Sequence, residues 1–123
     1  MLKVIYVGFG GFIGSILRYS LYILTSNVFG YTSTVATLIV NVIGCFLIGA
    51  VYQLLNGHLV ISENLRVFIT IGLLGGFTTF SAFCIDALLL YQNTGKILAI
   101  TYVVLSLVLS LLAMLTGVWL IKS

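Results

Sequence analysis

Residues 65–91 read LRVFITIGLLGGFTTFSAFCIDALLLY, and this stretch decides the fold class. It exceeds the about 20 mostly apolar residues that a helix needs to cross a bilayer, and Arg66 and Asp86 are its only charged side chains. Near its middle, the pair Gly75-Gly76 comes just before a run of hydroxyl residues, and both features weaken a helix. We therefore predict a transmembrane helix that is broken in mid-membrane, with a tight helix crossing at the glycines as the alternative.

The whole chain has the composition of a membrane protein. Of its 123 residues, 62% are hydrophobic and only 6% are charged, whereas soluble domains carry about 25% charged residues. A soluble chain of this length has no interior large enough for so much apolar surface. We predict an all-α, multi-pass protein of the cell membrane, with one transmembrane domain over residues 1–123. Its four helices are predicted at residues 4–24, 34–55, 65–91 and 97–121.

Several function classes lack the residues that they need. Five basic and two acidic side chains do not form the basic patch of a nucleic-acid-binding protein. Cys45 and Cys84 lie in apolar runs, so we expect core-type side chains rather than a disulfide or a zinc site. The glycine-rich first helix lacks the strand that precedes a dinucleotide fingerprint, and Gly10 and Gly14 have the spacing of closely packed membrane helices. With no catalytic triad, nucleotide loop or metal-ligand cluster in the sequence, we predict that the protein is not an enzyme.

The basic residues give almost no signal for orientation in the membrane. If the N-terminus is cytoplasmic, Lys3, Arg66 and Lys122 lie on the inner side, against Arg18 and Lys96 on the outer side. Membrane proteins normally carry an excess of Lys and Arg in their cytoplasmic loops, and three against two is hardly an excess. The charges alone leave open a single topology set by weak cues and insertion in both orientations.

The glycine and hydroxyl run of the third helix is a recognisable motif. Residues 75–83, Gly-Gly-Phe-Thr-Thr-Phe-Ser-Ala-Phe, resemble the signature of the Fluc (CrcB-type) fluoride ion channel family. Ala82 departs from the pattern, since many relatives have threonine there. The similarity extends to the other three helices, through Gly14, Arg18, Tyr19, Thr37, Asn41, Gly44, Tyr102, Ser106 and Ser110.

The resemblance implies a passive channel that exports fluoride from the cytoplasm. Proteins of this family are antiparallel, dual-topology homodimers with two pores, so the weak charge bias would reflect insertion in both orientations. A structural sodium ion lies at the dimer centre, and its ligands here would be the main-chain carbonyls of Gly75 and Thr78. The fluoride pore that the resemblance implies would use Arg18, Thr37, Asn41, Phe80, Phe83, Tyr102, Ser106 and Ser110.

The chemistry of these residue types suits a small, strongly hydrated anion. A selective pore must replace the water around the ion with hydrogen-bond donors, and amide and hydroxyl groups are such donors. Tyr102, Ser106 and Ser110 follow one another at four-residue intervals and so form a stripe along one face of a helix. Phe80 and Phe83 share a face three residues apart, and the edge of an aromatic ring is electropositive.

Each assignment also has a structural alternative. Serines in membrane helices often hydrogen-bond to a neighbouring helix, phenylalanines usually pack, and Asn41 could serve interhelical hydrogen bonding as well as function. Arg18 either snorkels to the interface or lines an anion vestibule. Asp86 is expected to be a solvated helix end, and His58 and Glu63 are expected to be loop residues without a specific role.

The alternative function is a proton-coupled small multidrug exporter, which is also a four-helix, dual-topology dimer. Such an exporter needs a carboxylate embedded in the membrane. The ionisable residue within the first helix is instead Arg18, and the two acids, Glu63 and Asp86, lie at or near predicted helix ends. A non-transporting assembly subunit is a further rival, but it would not need Asn41 and a hydroxyl stripe at membrane depth.

Overall fold

The computed structural model describes residues 1–30, 33–57 and 59–123, and these residues are helical almost throughout. Within them, four helical spans are long and apolar enough to cross a membrane, which confirms the prediction of an all-helical protein with four such spans. The prediction for His58 lies outside the described residues. Because the third span is interrupted, we number five helices: α1 (Leu2–Phe29), α2 (Ser33–Gly57), α3 (residues 63–77), α4 (Ser81–Asn93) and α5 (Lys96–Lys122).

The first helix is longer than predicted because its polar end stays helical. α1 continues to Phe29 instead of ending at residue 24. Thr25, which the sequence places in a polar connection, donates its hydroxyl hydrogen to Leu21 O at 2.7 Å. A hydroxyl group that bonds back to the preceding turn no longer competes for the backbone groups of its own turn. The helix ends at Gly30, whose φ of 79° is accessible to glycine at no steric cost.

The signature residues coincide with an interruption of the third span. Helix α3 widens into π-helical turns over Phe68–Leu74, and its helical geometry ends at Phe77. Thr78 has an extended backbone, with φ −82° and ψ 159°. Helical geometry resumes at Ser81 with α4. The chain therefore leaves the helix at Thr78, separated from the glycine pair by Phe77.

Glu63 is the first residue of α3, so the expectation that it belongs to a loop is wrong. The hydroxyl of Ser62 accepts a hydrogen bond from Leu65 N at 3.2 Å and caps the helix. Arg66 Nε donates to Glu63 Oε2 at 2.8 Å, and the two side chains form an exposed ion pair. A serine before a first-turn acid and an apolar run is a helix-start signal. This helix-start signal indicates a helix here, although the polarity of the segment is typical of a loop.

Helices α1 and α3 cross through glycines. A Cβ atom on Gly72 would lie 2.9 Å from Gly10 Cα, and one on Gly76 would lie 2.8 Å from Gly11 O. Real Cβ atoms essentially never come this close, so the two backbones are in direct contact. Gly10 and Gly14 both face α3, which confirms the packing interpretation of their spacing.

Helices α2 and α5 form a second closely packed pair. A Cβ atom on Gly49 would lie 2.9 Å from the carbonyl carbon of Met114, and one on Gly117 would lie 2.9 Å from Ala50 N. Each helix thus offers a glycine to the backbone of the other.

The single chain leaves much apolar surface uncovered. No more than 28% of the most apolar window of any span is buried, as expected where lipid or another copy of the chain covers the helices. Cys84 belongs to this exposed surface, whereas Cys45 is half-buried. The expectation of a core side chain is therefore wrong for Cys84. A helix that is apolar all round does not reveal which of its faces is buried.

Candidate functional site

The side chain of Asn41, on α2, holds the interrupted backbone of the third span. Its Nδ2 donates to Thr79 O at 2.9 Å, and its Oδ1 accepts from Thr79 N at 2.8 Å. The amide therefore satisfies both backbone groups of one non-helical residue, which lipid would leave unpaired. This is the interhelical hydrogen bonding that the sequence leaves open. The amide nitrogen carries a second hydrogen, which these two bonds do not use.

The interruption diverts two backbone donors from their helical acceptors. In a continuous helix, Thr79 N would donate to the carbonyl of Gly75, four residues earlier, but it donates to Asn41 instead. Ala82 N would donate to the carbonyl of Thr78, but it donates to Thr79 Oγ1 at 3.2 Å. Gly75 and Thr78 are the two residues whose carbonyls the sequence predicts as sodium ligands. Both carbonyls have thus lost their helical donors, so this donor set fits a cation.

A groove of about 420 Å³ lies beside the interruption, between α2, α4 and α5. It has amide, hydroxyl and aromatic groups in an otherwise apolar wall. It brings together most of the residues predicted for the pore and both predicted sodium ligands. The lining residues are Asn41, Cys45, Gly75, Thr78, Thr79, Phe80, Phe83, Ser106, Leu107, Ser110 and Leu111.

The hydroxyl stripe, formed by Tyr102, Ser106 and Ser110, runs along this side of α5. Tyr102 and Ser106 are almost fully buried. Within the part of the chain that the structure describes, Tyr102 OH and Ser106 Oγ make no hydrogen bond of normal geometry, although Ser106 and Thr37 lie near the Tyr102 hydroxyl. A buried polar group without a partner typically costs about 1–3 kcal/mol. The stripe therefore presents two buried hydroxyl groups whose hydrogen bonding the described residues do not fully satisfy.

The two phenylalanines of the signature lie next to each other but differ in exposure. Their ring centroids are 5.4 Å apart, and the Phe83 ring is 5.5 Å from that of Tyr102. Phe83 is only 8% exposed, whereas Phe80 is 71% exposed. The aromatic row thus starts inside the chain, next to the hydroxyl stripe, and ends at the open side of the groove.

Asp86 is buried and hydrogen-bonded, so the expectation of a solvated helix end is wrong. It is only 4% exposed. Ser33 Oγ donates to its Oδ1 at 2.8 Å, and Thr37 Oγ1 donates to its Oδ2 at 2.6 Å. Because Thr37 gives its only hydroxyl hydrogen to Asp86, Tyr22 OH must be the donor in its 2.6 Å contact with Thr37. Thr37, predicted for the pore, lies in this network and does not line the groove.

Arg18 lies in a second, separate depression of about 310 Å³, together with Tyr19, Ser81 and Ile85. Thr79 lines both this depression and the groove. Arg18 is half-buried, and within the described residues both acidic side chains bond to other groups. The structure therefore places an unneutralised positive charge near the interruption, but outside the groove.

Three residues that contribute to these sites are not among those predicted from the sequence. Ser33 and Tyr22 belong to the Asp86 network, and the Thr79 hydroxyl accepts a backbone N–H. An acid within an apolar span is costly unless it finds partners. Asp86 was therefore a usable signal that hydroxyl partners lie on neighbouring helices, although it does not say which ones.

These features define a class: a small multi-pass membrane protein with a groove of amide, hydroxyl and aromatic groups beside an interrupted helix. Comparison with known proteins then gives the family. The family model described as CrcB-like protein, Camphor Resistance (CrcB), matches residues 5–118. The chain belongs to this family.

Curated relatives are similar over nearly the whole chain. The fluoride-specific ion channel FluC of Ruminiclostridium cellulolyticum is 37% identical over 123 residues, which is 100% of this chain and 95% of that protein. FluC of Rhizobium johnstonii is 40% identical over 117 residues, 95% and 94% of the two chains. FluC of Rhizobium meliloti is 38% identical over 123 residues, 100% and 98%. The resemblance predicted from the third-helix signature is confirmed, and these relatives are named as ion channels rather than enzymes.

Proposed function

We propose that the protein is a subunit of a fluoride-selective channel that passively exports fluoride from the cytoplasm and so relieves fluoride toxicity. The observation that carries the proposal is the pair of buried hydroxyl groups on Tyr102 and Ser106, which make no hydrogen bond of normal geometry among the described residues and lie next to a groove with further donors. The relatives named fluoride-specific ion channels support the identity of the ion. Passive export is sufficient because HF crosses lipid, dissociates at neutral internal pH and leaves fluoride at a raised concentration inside.

Fluoride would move by exchanging its water for donors along the hydroxyl stripe. Residues four apart on a helix are separated by about 6 Å along its axis, so neighbouring donors can pass a small ion between them. Asn41 would donate the second hydrogen of its amide nitrogen, which its two hydrogen bonds with Thr79 do not use. The ring edges of Phe80 and Phe83 would contact the anion as weak positive partners, without the tight hold of a lysine.

We further propose that two copies pair as an antiparallel, dual-topology homodimer. The near-equal distribution of basic residues supports insertion in both orientations. Phe80 is 71% exposed in the single chain, and Gly75 is exposed beside it. A second copy placed against this surface would close the open side of the groove and complete a pore on each side of the interface.

The proposal includes a structural sodium ion at the dimer centre, held by the main-chain carbonyls of Gly75 and Thr78 from each subunit. Two observations support these ligands: their helical donors bond elsewhere, and Gly75 is exposed. Oxygen ligands suit hard cations. Neutral carbonyls favour a monovalent one, because the acidic side chains are engaged with other residues. When bound, sodium would supply a fixed positive charge that joins the two subunits.

The multidrug exporter is not favoured. Asp86 is a buried carboxylate of the kind that such an exporter would need. However, Ser33 and Thr37 donate to its two oxygens, and Asp86 does not line the groove. The relatives are named as ion channels.

The hydroxyl stripe can be tested by removing single oxygen atoms. Tyr102→Phe and Ser106→Ala each remove a hydroxyl group that makes no hydrogen bond of normal geometry within residues 1–30, 33–57 and 59–123, so folding should persist. A hydrogen bond to a charged group contributes about 1.5–3 kcal/mol, so fluoride efflux from liposomes should fall by about tenfold or more. Thr101→Val is the matched control, because that exposed α5 hydroxyl bonds to Ile97 O. If Tyr102→Phe and Ser106→Ala release fluoride as fast as the Thr101→Val control, the stripe is not the pathway.

A further inference from the structure

At the interruption of the third span, two backbone N–H groups donate to side chains instead of to the carbonyls four residues earlier. One belongs to the non-helical residue Thr79 and the other to Ala82, in the first turn of α4. Asn41 Oδ1 accepts Thr79 N at 2.8 Å, and Thr79 Oγ1 accepts Ala82 N at 3.2 Å. The two carbonyls that lose these donors belong to Gly75 and Thr78. They are the same two carbonyls that the proposed cation site uses.

We propose that Asn41 and Thr79 are positioning residues for this cation site. Each side chain accepts a backbone N–H that would otherwise donate to one of the two carbonyls in a continuous helix, so that carbonyl oxygen stays available to bind the cation. The inference rests on the proposed function, since it explains how the sodium ligands stay available. It assigns Asn41 a role beyond the anion pathway. It also assigns a role to the side chain of Thr79, which is not among the residues predicted for the pore or the sodium site.

The backbone around Gly75 explains why such side chains are needed. Gly75 itself has helical angles, φ −64° and ψ −38°. In this conformation its carbonyl points along the helix axis toward position 79. An N–H group surrounded by apolar material must find an acceptor. Without Asn41, Thr79 N would regain Gly75 O as its helical acceptor once Thr78 changed from its extended angles to helical ones. Closing that bond would continue the helix and remove one oxygen from the cation.

Thr79 acts in the same way one turn later. Its hydroxyl oxygen accepts Ala82 N, and its side chain is buried, so water does not readily replace it. Replacement of this hydroxyl by a methyl group would leave Ala82 N without its acceptor and favour a return of the backbone at Thr78 from extended to helical angles, which would bring Thr78 O back as the helical acceptor. Asn41 and Thr79 thus protect different carbonyls, and their substitutions can be tested separately.

The test measures cation dependence without any fluoride transport. Purified protein in detergent is titrated with sodium, with N-methyl-D-glucamine as the replacement cation, and the dimer fraction and the thermal midpoint are recorded. Asn41→Leu and Thr79→Val should each raise the half-saturating sodium concentration about thirtyfold or more, the effect of one lost carbonyl contact in each of the two subunits. Asn41→Asp keeps an acceptor for Thr79 N, and Thr79→Ser keeps the hydroxyl, so neither should raise it.

Thr116→Val is the matched control, because that exposed α5 hydroxyl lies outside the stripe and bonds to Leu112 O within its own helix; its sodium titration should equal that of the parent. If Asn41→Leu does not fold, the pair Thr79→Val and Thr79→Ser decides the question. A sodium-dependent parent whose Asn41→Leu and Thr79→Val variants titrate like the parent would overturn the positioning role and leave the sodium site standing. A parent that is equally stable without sodium would overturn both.

Discussion

Gly75→Ala is a sharp test of the proposed dimer centre, because the single chain has room for the added methyl group. A Cβ atom on Gly75 meets nothing closer than Thr70 O at 3.7 Å, which is an ordinary contact. Within one chain the change should be neutral or should stabilise α3 by up to ~1 kcal/mol. If the two Gly75 residues meet at the dimer centre, the methyl group overpacks the interface by about 1–3 kcal/mol per copy. Two copies then weaken dimerisation by at least ~30-fold.

The assay counts labelled subunits per particle in liposomes while the lipid-to-protein ratio is increased. Gly8→Ala is the neutral control, since nothing lies within 4 Å of its Cβ position. Gly76→Ala is the opposite control: its Cβ would lie 2.8 Å from Gly11 O, so it should destabilise the chain itself. If Gly75→Ala dimerises as well as Gly8→Ala, Gly75 does not lie at a tight interface and the reasoning is refuted.

Three further changes test orientation, pore and core. Asn27→Lys with Val28→Lys adds charge at an exposed end of α1, so C-terminal reporters should change from mixed to uniform sidedness; uniform sidedness in the parent would contradict dual topology. Phe80→Ile and Phe83→Ile remove the ring edges but keep the apolar volume, so fluoride flux should fall while assembly persists; unchanged flux in both variants would show that the rings are dispensable. Thr37→Val removes a donor to the buried carboxylate and should lower the free energy of unfolding by about 1.5–3 kcal/mol; an unchanged thermal midpoint would show that the network contributes nothing.

The membrane fold was predictable because composition and segment length decide it. The end of α1 was not, since hydropathy reads Thr25 as polar while its hydroxyl is satisfied by Leu21 O. The exposure of Cys84 could not be read from an apolar run either, because lipid and protein core select the same side chains. Local hydrogen bonding and the choice of buried face therefore limit what hydropathy reveals.

The candidate site was predictable where it depends on motif and spacing. Ser106 and Ser110 line one groove with Phe83, as residues that share a helix face should. The partners of Asp86 were not predictable, because they depend on how the start of α2 meets α4. The same holds for Asn41, whose bonds to the interrupted backbone require the three-dimensional arrangement of two helices.

Fluoride efflux from liposomes that contain only the purified protein is the most direct test of the central claim. Liposomes loaded with potassium fluoride or potassium chloride are diluted into anion-free buffer with a potassium ionophore, and ion-selective electrodes record the release. The proposed function predicts rapid fluoride release, well above that from protein-free liposomes and faster than chloride release. Fluoride release no faster than from protein-free liposomes, or equal release of both anions, would contradict it.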